Sequence, residues 1–218
     1  RIDVWLRVHD ASKPDRQGFA SEVLSRYVSL PEAAVSYDRD PCWTCGKSHG
    51  KPRLAASLRS SVVFNVAHCR SATLVGVARR PLDLGVDIED RSALERHHPG
   101  TELVACSDEE RAHLALLAPA ARAEEFTRLW VRKEAALKAV GVGLSFDPRL
   151  CDVIAQSHLG WRHVSVADRH VIVHDLALPH AVRGAVAADL SQLSGRERFP
   201  PEVYVRELSG NEAIDLAC

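Results

Sequence analysis

The strongest constraint on the fold lies between Pro119 and Gly141. Pro119 opens a helix that runs to about Val140 and stops at Gly141 and Gly143. Within it Trp130, Glu134 and Lys138 follow i, i+4, i+8 and share one face. Strands are expected on both sides. Upstream, Ile2, Val4, Leu6 and Val8 form one face of a strand, and short apolar strands are expected at 62–66, 72–78 and 84–88. Downstream, strands are expected at about 161–166, 170–174 and 181–187, with a strand-like stretch at 202–205 in a polar tail. Two more helices are expected. One runs over about 16–28 on Phe19, Val23, Leu24 and Tyr27, with Asp15 as cap; the other runs from the capping box Ser107…Glu110 to about 117. Residues 36–53 read as loop, being rich in Gly, Pro, Cys, Lys and His. Each half is helix plus strands, an α+β chain divided into residues 1–83 and 84–218.

Bulk properties exclude some functions. A net charge of -1 gives no bias toward nucleic acid or a membrane surface. No apolar run approaches the length of a membrane span, and residues 1–6 lack a signal-peptide core. The six cysteines are therefore expected as free thiols of a cytoplasmic protein. The chain has no methionine, so residues are expected before Arg1.

Two stretches carry chemistry. Asp87 and Glu89 end an apolar strand, two residues apart and so on one side of it. Adjacent carboxylates repel, and a hard divalent cation such as Mg²⁺ suits them. On the strand alone, a solvated acidic strand end is the simpler reading. The helix face of Trp130, Glu134 and Lys138 is likewise satisfied, taken alone, by an exposed Glu–Lys pair and an anchored Trp.

Together they say more. Gly50-Lys51-Pro52, then Phe64-Asn65-Val66-Ala67-His68, then Asp87-x-Glu89, then Trp130-x-x-Lys133-Glu134-Ala135-x-x-Lys138 resemble the 4′-phosphopantetheinyl transferases. Their order and spacing suit the larger Sfp-type group. The resemblance implies two similar, pseudo-twofold-related halves with coenzyme A in the cleft between them, in a monomer. It implies an enzyme of the holo-acyl-carrier-protein synthase kind. Such an enzyme moves 4′-phosphopantetheine from coenzyme A to a serine of an acyl or peptidyl carrier protein, as in polyketide, nonribosomal peptide or fatty-acid assembly, and releases adenosine 3′,5′-bisphosphate. Asp87, Glu89 and Glu134 would hold Mg²⁺ with the pyrophosphate. Lys51, Pro52 and His68 would contact coenzyme A, Arg16 its nucleotide end, and Lys138 its pyrophosphate. Glu134 would be the general base, with Lys138 as catalytic partner. Lys133 is split evenly between a structural role and a phosphate contact. Three features depart from the family pattern: Ala67 and Cys69 replace the usual serines, and the segment before Arg16 is short, leaving Lys13 and Arg16 as its basic residues. The alternatives are a Mg²⁺-dependent nucleotide pyrophosphate hydrolase and a non-catalytic module that binds coenzyme A or a carrier protein.

Cys42, Cys45 and His49 offer three zinc ligands in one loop, one short of a closed structural site unless Cys69 joins them. A loop that merely positions Lys51 and Pro52 is the favoured reading over zinc. The remaining histidines, including the pair His97-His98, show no metal-binding spacing.

Overall fold

Continuous burial marks the central strands. In a computed structural model, which describes residues 1–9, 16–58, 60–91, 99–154, 157–158, 160–179, 182–193, 200–209 and 212–216, β5 (Ala72–Arg79) is buried along all but its last residue. Such a strand has both faces covered. The first sheet has the order β12 (Glu212–Leu216), β11 (Val203–Ser209), β1 (Ile2–Val8), β5, β4 (Val62–His68). The second has the order β6 (Asp83–Asp90), β10 (Val182–Asp189), β9 (Arg169–Asp175), β8 (Trp161–Val166), β7 (Ser157–His158). β1 runs parallel to β11; the other pairings in both sheets are antiparallel.

The period of two sorts side chains into layers. Ile2, Val4 and Leu6 meet Leu84, Val86 and Ile88 in a core between the sheets. On the outer face of the first sheet, Trp5, Phe64 and Val75 pack on Phe19, Val23 and Leu24 of α1 (Arg16–Val28). On the outer face of the second, Val171, Val173, Ala185 and Ala187 pack on Leu129, Ala136 and Leu137 of α4 (Pro119–Val140). The order is helix, sheet, sheet, helix, an α+β fold. The tail returns to the first sheet: β11 and β12 complete the sheet of β1, β4 and β5, although they follow every strand of the second.

Local signals act as expected in several places. Ser107 and Glu110 form the full capping box at the start of α3 (Asp108–Ala115), and α4 has Pro119 at its first turn and Gly141 as C-cap. The Asp15 cap lies outside the described residues. The structure adds α2 (Pro99–Ala105) and a hairpin of β2 (Tyr37–Arg39) with β3 (Pro52–Leu54). That hairpin brackets the stretch read as loop, whose middle is its long tip. Among the described residues no helix is long and apolar enough to cross a membrane.

Candidate functional site

The site is built where α4 lies on β6. Leu84, Val86 and Ile88 point into the inter-sheet core, so Gly85, Asp87 and Glu89 face α4. Gly85 makes the close approach feasible: a Cβ there would stand 2.1 Å from the Ala135 carbonyl oxygen and 2.4 Å from the Ala139 nitrogen. Further along β6, Asp87 meets the Glu134–Lys138 face of α4. Lys138 Nζ donates to Asp87 Oδ1 at 2.5 Å and lies 3.8 Å from Glu134 Oε2.

Burial dominates the electrostatics. It pushes Asp87 up to about 7, against the pull of Lys138, with Glu134 and Glu89 adding to the rise. Burial also raises Glu89, helped by the charge of Asp90, and raises Glu134 against Lys138. Asp87 Oδ2 and Glu134 Oε1 are buried with no hydrogen-bond partner. Buried carboxylate oxygens left over after the nearby lysine has bonded are what a hard divalent cation takes as ligands. The donor set therefore fits Mg²⁺. The fit is not that of a closed cage, because the oxygens of Asp87, Glu89 and Glu134 do not all lie within 4.8 Å of one another.

A cleft of about 340 Å³ opens beside this set. Lys51, Pro52, Asn65 and Val66 line one side; Lys138 and residues 141–145 line the other. The cleft reaches the acids through Lys138. His68 ends β4, exposed, on the same side of that strand as Val66. Arg16 opens α1, but its side chain, like Lys13, lies outside the described residues.

Three residues have tasks that the sequence did not disclose. Lys51 is buried, and its ammonium bonds Asp83 Oδ1 at 2.9 Å, the Leu84 carbonyl at 2.7 Å and the Ala139 carbonyl at 3.0 Å. An ammonium has three donors, so a ligand phosphate would have to displace one of these bonds. Asn65 Oδ1 accepts from the Val86 N–H at 2.9 Å. β6 is an edge strand, and Lys51 and Asn65 together satisfy polar groups along its free edge, tying the first sheet to the second. Lys133 is fully buried. It pairs with Glu110 Oε2 at 2.7 Å and donates to the carbonyls of Pro148 at 2.8 Å and Cys151 at 2.5 Å. This resolves its divided reading in favour of structure.

Lys51 and Asp83 report their contact in opposite senses. Burial draws Lys51 down to about 8, with Asp83 opposing. Burial would raise Asp83, but hydrogen bonds from Arg53 and the charge of Lys51 bring it down to about 2. Arg53 forks onto both Asp83 oxygens at 2.6 and 2.9 Å, so Asp83 measures that ion pair and Lys51 measures the dryness of its own position.

The cysteine loop forms a compact cluster. Among the described residues, the one group of three ligand-type side chains whose atoms all lie within 4.8 Å of one another is Cys42, Cys45 and His49. Cys69 is elsewhere, buried in the inter-sheet core with its thiol toward the Ala72 carbonyl.

Comparison with known proteins agrees with the motifs. Residues 83–181 match the family described as the 4′-phosphopantetheinyl transferase superfamily. A protein of Synechocystis sp. (strain ATCC 27184 / PCC 6803 / Kazusa), provisionally named a 4′-phosphopantetheinyl transferase, is 30% identical over 131 residues. That match covers 60% of this chain and 52% of the relative, so it spans about half the relative's length. The resemblance to this family is thereby borne out, and the matched segment contains Asp87, Glu89, Glu134 and Lys138.

Proposed function

We propose, from a 4′-phosphopantetheinyl transferase segment whose acids and Lys138 converge beside a cleft, that this protein moves 4′-phosphopantetheine from coenzyme A to a serine of an acyl or peptidyl carrier protein. The observation that carries the reading is the meeting of Asp87, Glu134 and Lys138 across β6 and α4, with Asp87 Oδ2 and Glu134 Oε1 buried and unpartnered. Asp87, Glu89 and Glu134 would hold Mg²⁺, which supplies neutralisation of charge on the pyrophosphate.

The residues of the chain do the rest. The cleft between Pro52 and residues 141–145 receives coenzyme A, and Lys138 in its lining is assigned to the pyrophosphate. The serine oxygen attacks the β-phosphorus, and the bond to the oxygen bridging to the α-phosphorus breaks. Adenosine 3′,5′-bisphosphate leaves. Glu134 takes the serine proton. Lys138 stabilises charge on the departing phosphate. Lys51 acts indirectly, holding the cleft wall to β6 and the end of α4. His68 is assigned to the phosphates of coenzyme A and Arg16 to its nucleotide end.

The test is incubation with coenzyme A, Mg²⁺ and a panel of apo carrier proteins, followed by intact-mass measurement. A gain of one phosphopantetheine on a carrier serine is expected. Coenzyme A cleavage at the same rate with and without carrier would instead favour the hydrolase. Tight coenzyme A binding with no turnover would favour the binding module.

A further inference from the structure

The loop at the tip of the β2–β3 hairpin has a feature that the transfer reaction does not use. We propose that Cys42, Cys45 and His49 form a zinc site at the rim of the cleft, with water in the fourth position. In a tetrahedral zinc site, metal–sulfur bonds of about 2.3 Å and metal–nitrogen bonds of about 2.0 Å separate ligand atoms by about 3.5–3.8 Å. The three ligand atoms all lie within 4.8 Å of one another, and Cys45 Sγ is 3.0 Å from His49 Nε2. Small rotamer adjustments bring the set to that spacing. Two thiols and an imidazole select a borderline-soft metal over Mg²⁺, which prefers oxygen.

Backbone hydrogen bonds close the loop around its candidate ligands. The chain makes this turn through Gly46, at φ +70, where its N–H bonds the Cys42 carbonyl at 2.9 Å. Cys42 N–H donates to the Lys47 carbonyl at 2.7 Å, and His49 N–H donates to the same carbonyl at 2.8 Å. The ladder closes where Gly50 N–H bonds the Asp40 carbonyl and Asp40 N–H bonds the Lys51 carbonyl, both at 2.9 Å.

Apolar packing does not explain this order. Trp43 is 64% exposed, and residues 43–49 are all exposed. A metal cross-link supplies what the loop lacks in core. Cys42 and His49 also line the cleft, so a metal here fixes the wall that continues into Lys51 and Pro52. The proposed metal would hold this wall in place, independently of the transfer reaction.

The experiment reads metal directly. Protein purified without chelator and with thiols reduced is analysed for zinc by mass spectrometry, then stripped and titrated with Co²⁺. One zinc per chain and the visible and near-ultraviolet bands of tetrahedral thiolate-bound cobalt are expected. Cys45→Ser and His49→Asn should weaken zinc binding by more than the roughly 10–100-fold typical of disturbing an outer-shell partner. Both changes lie in an exposed loop, and circular dichroism verifies that the variants fold. Cys69→Ser and Asp87→Asn should keep the zinc. Absence of zinc and of cobalt bands in reconstituted wild type would overturn the proposal. So would zinc retained by both loop variants, zinc lost with Asp87→Asn, or a Cys42–Cys45 disulfide as the stable form under reducing conditions.

Discussion

Replacing Lys133 by Met tests whether the lysine of the Trp130–Lys138 motif serves structure or ligand. In the fold, Lys133 and Glu110 are 1% and 0% exposed and 2.7 Å apart. Glu110 also accepts from the Ser107 and Val153 N–H groups, and Lys133 ties down the Pro148 and Cys151 carbonyls. Removing the lysine alone strands a buried carboxylate, which typically costs about 3–5 kcal/mol. For a chain of this size each 1 kcal/mol moves the melting temperature by about 2–4 °C, so a drop of roughly 6–20 °C is expected. Replacing both partners with apolar residues should recover much of that loss. Recovery would stop short of wild type by about 1 kcal/mol, because the Glu110 capping bond goes too. Urea melts of the two single variants and the double variant measure the coupling. The Michaelis constant for coenzyme A, taken below the melting transition, should stay within about twofold of wild type, since Lys133 faces away from the cleft. A coupling near zero, or an intact melting curve with a tenfold weaker coenzyme A interaction, would refute the structural assignment.

Glu134→Gln should lower phosphopantetheine transfer by about 10² or more while leaving the melting curve nearly unchanged, as expected of a general base; near-normal transfer in a steady-state assay would remove Glu134 from that role. Asp83 gives a pH signature. Its folded pKa of about 2 lies below the ordinary 3.8, so its ion pair contributes stability above pH ~4 that is lost as pH falls toward ~2. The shift corresponds to about 2 kcal/mol after allowing for its partial exposure. Asp83→Asn should therefore fall below wild type at pH 6 and converge with it near pH 2 in chemical melts; a constant gap across that range would contradict the assignment. Gly85→Ala should cost on the order of 1–3 kcal/mol, because the added Cβ meets the α4 backbone at 2.1 Å. A shift of about 1 Å between Asp87 and Glu134 should also lower kcat by roughly 10², and normal turnover by a folded Gly85→Ala protein would show that the α4–β6 spacing does not set the chemistry.

What sequence discloses here depends on distance along the chain. The faces of β6 and α4 follow from periods of two and 3.6, so Asp87, Glu89, Glu134 and Lys138 are legible once the motifs stand together. The capping box at Ser107 and the Gly141 stop are local as well. The tail is different: β11 pairs with β1 at the opposite end of the chain, and nothing within residues 203–209 names that partner. Lys51 shows the same limit. A buried lysine holding the edge of β6 and a lysine holding a phosphate have the same neighbours in sequence, and only the β6 edge tells them apart. Lys133 lies off the 130–134–138 line, which says where it does not point; its partner Glu110 becomes visible only after α3 folds against α4. For Cys42, Cys45 and His49, residue spacing offers three ligands and no geometry; the turn that gathers them is a property of the backbone.

The charge count of the α4–β6 contact supports the proposed Mg²⁺ site. Three carboxylates share it with one ammonium, and that ammonium serves Asp87 first and Glu134 at longer range. No ion pair to Glu89 is found among the described residues. With all three acids ionised the group carries two excess negative charges in a poorly solvated place, which is why burial heads the causes of every upward shift there. Relief comes in two forms. A proton on Asp87 removes one charge but leaves that oxygen a poor ligand. A divalent cation removes both and keeps Asp87, Glu89 and Glu134 ionised. At the proposed site proton and cation would therefore compete, and the α4–β6 packing that dries it would favour the cation.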